Sequence, residues 1–485
     1  MKKSLLLCAT ALMATSSAFA AVQDGQTYAP TTKNDVTITC KNIWITDRCH
    51  DNDAFVATPL GNADLGGKNY RTATLANGVV YFAGSPNGVG KLLKFDAATG
   101  AQIGAELSLT IDGKPLEGTL CANNVIADTY GHILIIGATF AQTEVSEESP
   151  LAPVKAYTVD TETGALTLFA TLPREHNARI DYFDVIGDIT GTEAGAIIMA
   201  AAASDGGWVY RWELAKGATE WKGGFEGAVA FEMKDFYLNA PEEGAITAWG
   251  IAPATKIVMG EGELQFAGEL FYIDGFTAAP ILYDTFGGVI DSFENAISLA
   301  PQAGANGIAE VSIKGRNFIA VANNQHTGSN GGNEVSFNEV GEGMAFEGME
   351  RIWLIPANGM NPELVSDGGA RFHAIYTQKL VDKNGKEGCY LLTAKCFEGL
   401  GIYLIAEEGF EFEAGAVEGI EANNVNVVVA NGMISVNEAS SIEVYNMAGQ
   451  KVVEANASQV AAPAAGAYIV KANVNGNAVV EKVIL

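Results

Sequence analysis

Three arginines are the residues whose type and placement in this sequence best suit ligand chemistry. Arg71, Arg179 and Arg371 each open an apolar, strand-like run. Guanidinium groups present paired donors that match a carboxylate or a sulfate. If the fold brings the three together, they predict a polar pocket for an anionic or hydroxyl-rich ligand, such as an acidic glycan. The alternative is three separate salt bridges, for example between Arg179 and Asp181 or Asp184.

Other polar residues occupy comparable strand-opening positions. Asn124 and Asn306 begin strand-like runs elsewhere in the sequence, and His373 follows Arg371 by two residues. Side chains alternate along a strand, so His373 shares a face with Arg371. No residue is assigned a catalytic role. The candidate ligand-binding set is Arg71, Asn124, Arg179, Asn306, Arg371 and His373.

Short strands and tight turns must position these residues. Asn77-Gly78 is a strong hairpin signal, because a type I′ turn needs positive φ at both central residues. Four antiparallel strands in one sheet make one blade of a β-propeller. The predicted strands of the first such unit are Arg71–Ala76, Val79–Gly84, Val89–Phe95 and Ala101–Leu107.

A turn of the form D-x-x-T-G indicates a repeat fold. It starts at Asp96 and recurs at Asp160, and a repeated turn spaced by tens of residues is typical of repeat proteins. The sequence therefore predicts an all-β protein with a β-propeller over residues 36–406. It has six blades, or seven if residues 223–291 hold two. We expect Val36–Thr46 to join the last blade and close the ring, and Asn323–Gly343 to be a loop insertion.

Two function classes fit a propeller with these residues. The sequence contains no G-x-S-x-G, H-E-x-x-H, P-loop or dinucleotide-binding motif. An arginine trio on a six-bladed propeller resembles the sialidases, in which it clamps a carboxylate, but Ser204–Trp208 has the wrong spacing for the sialidase box. A binding protein for glycans or peptides is favoured over a glycan-processing hydrolase or lyase with a site at the propeller mouth.

The N-terminus and the charge bear on location and partners. Met1–Ala20 has the charged start, apolar segment and A-x-A end of a secretory signal peptide, and Ala21–Asp35 is expected to be loosely ordered. No window is typical of a transmembrane helix. The net charge of −28 repels a phosphate backbone, so nucleic acid is excluded as a partner. We expect an exported protein that passes through the periplasm to the outer-membrane surface or the medium.

The C-terminal segment has a composition of its own. An acidic linker is expected over residues 407–424 and a small β-sandwich over residues 425–485. The runs Ile442–Asn446, Gly449–Val452 and Gly466–Lys471, with the terminal Lys482–Leu485, resemble the sorting domain of the type IX secretion system. This resemblance implies the secretion machinery as a partner and export across the outer membrane. The alternative is an accessory β-domain that packs on the propeller. The upstream region looks similar to uncharacterised, secreted propeller-like proteins of such bacteria.

Three further features could be a metal site, disulfide bonds and a sugar-stacking surface, and each also has a purely structural interpretation. Residues 50–53 (His-Asp-Asn-Asp) could serve a structural calcium ion or form a solvated loop, and no metal ligand or cofactor is assigned. Cys40 with Cys49, and Cys389 with Cys396, either form disulfides or are small buried side chains. The stripe Trp208, Tyr210 and Trp212 is interpreted as packing between blades rather than as a sugar platform.

Overall fold

The computed structural model contains two compact units, residues 1–414 and residues 415–485. Nearly all regular structure in the described residues is β-strand, with 3₁₀ turns at Pro86–Gly88 and Glu342–Met344. No described helix is both long and apolar enough to cross a bilayer. The described residues are 28–47, 70–203, 207–224, 227–233, 249, 253–260, 267–275, 278–285, 287–292, 307–323, 334–357, 372–395, 399–411, 427–430, 433–436, 439–446, 451–461, 463, 467–474 and 477–484.

Two strands precede the first complete blade. They are β1 (Thr31–Lys33) and β2 (Val36–Asp47), which pair as a hairpin. The segment expected to be loosely ordered, Ala21–Asp35, is therefore a strand in part, because Lys33 pairs with Val36.

The first three blades follow in chain order. Blade 1 contains β3 (Tyr70–Ala76), β4 (Val79–Gly84), β5 (Lys91–Asp96) and β6 (Leu107–Ser108). Blade 2 contains β7 (Thr110–Ile111), β8 (Lys114–Pro115), β9 (Asn124–Ala127), β10 (Ile133–Ile136), β11 (Val154–Val159) and β12 (Ala165–Leu172). Blade 3 contains β13 (Arg179–Ile180), β14 (Asp184–Gly187), β15 (Ala196–Ala203), β16 (Trp208–Leu214), β17 (Lys222–Gly223) and β18 (Ala230–Glu232).

Three further blades complete the ring. Blade 4 contains β19 (Ala254–Ile257), β20 (Leu270–Gly275), β21 (Ala278–Asp284) and β22 (Val289–Ser292). Blade 5 contains β23 (Ile308–Ile313), β24 (Arg316–Asn323), β25 (Glu334–Val340) and β26 (Glu350–Ile355). Blade 6 contains β27 (Phe372–Val381), β28 (Glu387–Lys395) and β29 (Gly399–Glu407), followed by β2 and β1.

The innermost strands of the described sheets form a closed cycle. Strand β3 packs on β9, β9 on β14, β14 on β19, β19 on β23, β23 on β27, and β27 returns to β3. The propeller therefore has six blades, and the all-β prediction is confirmed. The alternative of seven is wrong, because the described part of residues 223–291 gives one four-stranded sheet plus β18, which belongs to blade 3.

Separate apolar cores lie between adjacent blades. The core between blades 2 and 3 contains Leu172 of β12 together with Tyr210 and Trp212 of β16, all of them buried, and half-buried Trp208 packs against it. The interpretation of this aromatic stripe as packing between blades is therefore confirmed. Buried Cys40 and Cys389 lie in the core between blades 5 and 6, and Cys49 and Cys396 lie outside the described residues.

Strand β2 closes the ring as the sequence predicted. It pairs antiparallel with β29, with Ile38 opposite Glu407 and Ile45 opposite Gly401. The indole N–H of Trp44 donates to the carbonyl of Ala97 at 2.8 Å, so the closing strand is also fastened to blade 1. An open ring would leave two unpaired strand edges, which this pairing removes.

Two predicted elements were wrong. The predicted strand Ala101–Leu107 pairs with β5 only at its start, around Gln102; Gly104 has positive φ and interrupts it, and the last strand of blade 1 is Leu107–Ser108. The expected loop Asn323–Gly343 contains strand β25 (Glu334–Val340), whose Val335 and Phe337 are buried. The glycines and asparagines before this strand obscured its alternating apolar pattern.

The repeated D-x-x-T-G turns have the predicted local chemistry. In the first, the Asp96 carboxylate accepts hydrogen bonds from the backbone N–H and the hydroxyl of Thr99. In the second, the Asp160 carboxylate accepts from the backbone N–H groups of Glu162 and Thr163. Each turn ends at a glycine with positive φ, a backbone conformation that residues with a side chain rarely adopt.

The C-terminal unit contains two small sheets. One has the order β30-β31-β34 and the other the order β33-β32-β35-β36. Ile434, Val436, Ile442, Val444 and Val470 form its buried core. The apolar runs of the sequence predict five strands, at residues 427–430, 433–436, 442–445, 467–472 and 478–484, and miss the two at Lys451–Ala455 and Gln459–Ala461. The strands are β30 (Val427–Ala430), β31 (Met433–Val436), β32 (Ala439–Asn446), β33 (Lys451–Ala455), β34 (Gln459–Ala461), β35 (Ala467–Val474) and β36 (Asn477–Ile484).

Candidate functional site

A pocket opens where four innermost strands begin. It lies between blades 3, 4, 5 and 6, and the roughly 340 Å³ of empty space at this place includes the open solvent in front of the pocket. The N-terminal ends of innermost strands share one rim of a propeller, so the pocket lies at a mouth of the central channel. Its walls include Tyr182, Asp184, Thr255, Lys256, Ile308 and Tyr376.

An ion pair joins blades 3 and 4 in this pocket. The Lys256 ammonium lies 3.3 Å from Oδ2 of Asp184 and 3.4 Å from Oδ1. Oδ2 also accepts the backbone N–H of Ile257 at 2.7 Å. The innermost strand of a blade has one edge without a neighbouring strand, so the backbone N–H groups on that edge need other acceptors. The Asp184 carboxylate is the acceptor for one of them, the N–H of Ile257 on β19. The buried carboxylate therefore both fastens two blades and holds the lysine head group.

A second carboxyl group faces the same lysine from blade 5. Glu310 follows Ile308 by two residues and shares its face of β23. Burial raises the pKa of Glu310, and the nearby charge of Asp184 adds to the rise, whereas Lys256 opposes it. Glu310 is thus more readily protonated than an exposed glutamate.

Blade 6 contributes a phenol to the pocket. Tyr376 is half-buried, and enclosure in the channel together with the charge of Asp184 raises its pKa well above the usual value. It therefore remains a neutral hydroxyl, able to donate and to accept a hydrogen bond. Beside it, the Thr377 hydroxyl donates to the carbonyl of Glu310 at 2.6 Å and fastens blade 6 to blade 5.

Two buried polar side chains in blade 4 lack good hydrogen bonds to the part of the chain that the structure describes. The Thr255 hydroxyl lines the pocket, and the residue is only 6% exposed. Asp274, opposite Ala254 on β20, is fully buried, and neither of its carboxylate oxygens makes a well-formed hydrogen bond. Burial raises the pKa of Asp274 to about 8, although the backbone N–H groups of Gly307 and of Asp274 itself oppose the shift. Buried groups of this kind are uncommon and mark places where a polar partner can be accepted.

Arg179 forms the salt bridge that was one of its two predicted alternatives. Its guanidinium binds fully buried Asp181 through two bonds, Nε to Oδ2 at 2.8 Å and one terminal nitrogen to Oδ1 at 2.5 Å. The same guanidinium lies over the ring of Phe140, 5.4 Å from its centroid. Arg179 is therefore engaged at the edge of blade 3.

Asn124 also has a structural partner. Asn123 and Asn124 each donate a side-chain N–H to the carbonyl of Asp181 at 2.7 Å. Both asparagines are buried. They fasten blade 2 to blade 3 at the point where the chain crosses from β13 to β14.

The remaining predicted residues are only partly described. Half-buried Arg71 lies at a β-bulge, because the register of β3 on β4 shifts between Tyr70 and Thr72. His373 occupies the corresponding bulge of β27, between Phe372 and Ala374. The backbone thus makes His373 the counterpart of Arg71. Residues 306 and 371 (Asn and Arg), the side chain of His373 and the calcium candidate at residues 50–53 lie outside what the structure describes.

A separate cluster joins the turns of blades 2 and 3. His132 Nδ1 lies 2.8 Å from the carboxylate of Asp128 and 3.6 Å from that of Asp188. The Asp128 carboxylate already accepts backbone N–H groups from Tyr130, His132 and Ile189. Since these bonds fasten the turns, the arrangement is explained by loop structure.

Sequence reasoning missed most of the pocket. Lys256, Glu310 and Tyr376 each stand in a strand pattern without a motif, and they belong to three different blades. Lys256 and Glu310 were themselves a weak signal of the pocket. A charged residue within an innermost strand must face either the central channel or an oppositely charged partner. Asp184 was considered only as a partner for Arg179.

No protein-family model matches the sequence, and no curated protein matches it either. Solved structures similar to this chain include a DUF4623 family protein from Bacteroides eggerthii, which is 12% identical, has a TM-score of 0.49 and covers 80% of this chain and 78% of that one. A mutant of AofleA from Arthrobotrys oligospora is 10% identical, with a TM-score of 0.41 over 79% and 90% of the two chains. Trypanosoma rangeli sialidase in complex with sialic acid is 8% identical, with a TM-score of 0.35 over 86% and 83%. Sequence identities this low carry no information about the function of this chain.

Proposed function

We propose that this protein is an exported binding protein whose propeller takes a glycan in the pocket at the channel mouth. The observation that carries the proposal is the combination of side chains around one pocket. Tyr182 and Tyr376 supply aromatic surface, and Thr255, Lys256 and Asp184 supply hydrogen-bonding groups. A mainly apolar cleft with a few placed polar groups is the usual form of a small-ligand site, and sugar rings need both kinds of surface.

A glycan-processing hydrolase is the second candidate. The specific observation in its favour is the presence of two carboxyl groups, Asp184 and Glu310, near Lys256, of which Glu310 has a raised pKa. A carboxyl group with a raised pKa can act as a general acid beside an ionised one. New reducing ends in an incubation with a bound glycan would establish this activity, and retention without new ends supports binding alone.

The binding proposal is tested with pocket variants on a panel of purified oligosaccharides. We expect Tyr376→Phe and Thr255→Val each to weaken binding by about tenfold by calorimetry, with an unchanged melting temperature, since each variant removes one hydroxyl. The matched controls are Tyr157→Phe and Thr158→Val on β11 of blade 2, away from the pocket. Failure of the protein to bind any oligosaccharide, or equal loss in pocket and control variants, would overturn the proposal.

We further propose that residues 425–485 direct export to the outer-membrane surface or the medium through the secretion machinery. The proposal is supported by the motif order of the segment and by its compact β unit, which is distinct from the propeller. A chain lacking residues 425–485 is expected to fold and remain in the periplasm. Surface display of the truncated chain at the level of the full chain would contradict the export role and leave the glycan proposal standing.

A further inference from the structure

The one basic group among the described residues that line the pocket is already paired with a carboxylate. Lys256 is this basic group, and its ammonium is held by Asp184 at 3.3 Å. Glu310 lies close enough for Lys256 to influence its ionisation. One ammonium group therefore faces two carboxyl groups, and it is not available as the main partner of an incoming anion.

This arrangement of charges disfavours the binding of a charged ligand. An anionic group near Lys256 would also approach the Asp184 carboxylate, and like charges a few Å apart repel strongly in an enclosed site. A cationic group would meet Lys256 itself. An uncharged hydroxyl can donate to a carboxylate and accept from the ammonium without disturbing the pair.

Neutral hydrogen-bonding groups complete the pocket. Among the described residues, the Thr255 hydroxyl has no hydrogen-bond partner, although Thr255 is only 6% exposed. Its place in the wall means that a ligand in the pocket can supply the missing partner. The Tyr376 phenol offers a second neutral hydroxyl across the same space.

We propose that the pocket takes an uncharged, hydroxyl-bearing unit, a neutral sugar ring, and rejects the carboxylated form of the same ring. The inference rests on the proposed glycan-binding function and specifies its substrate class. The three arginines had instead predicted an acidic glycan. Among the described residues, the charges at the channel mouth are those of Asp184, Lys256 and Glu310, and the Arg179 guanidinium is bound to Asp181.

The test uses matched ligands that differ only in charge. The probes are neutral oligosaccharides that the protein binds, and the same oligosaccharides oxidised at C6 to the carboxylate. We expect the full chain to bind the neutral form at least about tenfold more tightly at neutral pH. The preference should largely persist at high salt, because enclosed charges are screened less than exposed ones.

A variant separates the effect of the pocket from that of the acidic protein as a whole. Asp184→Asn should reduce the ratio of the two affinities several-fold by removing the carboxylate that lines the pocket, whereas Asp112→Asn, at an exposed turn in blade 2, should leave this ratio unchanged. Equal or tighter binding of the oxidised probe overturns the inference and leaves glycan binding intact. Equal effects of the two variants overturn the assignment to the pocket, and binding of neither probe overturns both proposals.

Discussion

Arg316 and Glu339 form a buried two-point ion pair in blade 5. The guanidinium Nε lies 3.0 Å from Oε1 and a terminal nitrogen lies 2.8 Å from Oε2. The other terminal nitrogen donates to the carbonyls of Thr31 and Val36, each at 3.0 Å. The pair therefore connects blade 5 to the strands β1 and β2 that close the ring.

Replacing Arg316 with methionine should destabilise the propeller. The variant leaves the Glu339 carboxylate buried without its partner and frees two carbonyls of the closing hairpin. We expect the free energy of unfolding to fall by about 3–5 kcal/mol, measured by urea denaturation. Lys33→Met removes the other basic neighbour of Glu339, but Lys33 is 53% exposed, so its effect should stay below about 1 kcal/mol. Similar losses in both variants would contradict this account.

The pH dependence of this pair has a definite sign. Burial would raise the pKa of Glu339, but the hydrogen bonds and charge of Arg316, with Lys33, outweigh burial and hold the pKa below its usual value. A carboxyl group with a lowered pKa stabilises the fold above its unfolded pKa, and this contribution is lost as the pH falls through the folded pKa. The difference between wild type and Arg316→Met should therefore shrink in acid. A difference that grows in acid would exclude this origin.

Removing the closing strand should have a larger effect than any single substitution. Deletion of Val36–Thr46 exposes the edge of β29 and opens the cycle of blades, so we expect aggregation or a sharply lower melting temperature. A milder variant keeps the test informative if the deletion does not fold. Trp44→Leu removes a buried indole and its bond to Ala97, and should cost about 3 kcal/mol. Wild-type melting of either variant would show that closure by β2 is dispensable.

Asp274 should make the propeller less stable as the pH rises. Its carboxyl has a pKa of about 8 in the folded protein and 3.8 as the reference value, so the folded state keeps a proton that the unfolded chain releases. Stability then falls by up to about 1.4 kcal/mol per pH unit between these values. Asp274→Asn should flatten this dependence and exceed wild type in stability above pH 8. Exposed Asp112→Asn is the control, and an unchanged pH profile in Asp274→Asn would refute the assignment.

Arg179 should prove more important for stability than for ligand binding. Arg179→Ala leaves Asp181 buried and without its two-point partner, so we expect a loss of about 2 kcal/mol or more. Arg179→Ala combined with Asp181→Asn should recover part of this loss, since no buried charge then remains. The measurement is thermal unfolding together with calorimetric binding. Unchanged stability with a selective loss of oligosaccharide binding would instead place Arg179 in the ligand site.

The sequence by itself determined the elements whose signals are local. The turns at Asp96 and Asp160 depend on bonds between residues no more than three positions apart, and alternation of apolar residues located most strands. The repetition of these signals predicted the blades, and the one unpaired strand at the start, Val36–Thr46, predicted the closure. The ion pair of Arg179 with Asp181 was among the predicted alternatives because its members are two residues apart.

Only the tertiary structure decided which side chains meet at the channel mouth. Asp184 and Lys256 are separated by 72 residues, and Glu310 and Tyr376 come from two further blades. Their convergence depends on how the blades are positioned against one another in the closed ring, and local patterns along the chain do not specify this. Arginine seemed the best candidate from residue type alone, yet among the described residues it is a lysine, paired with Asp184, that the fold presents to the pocket.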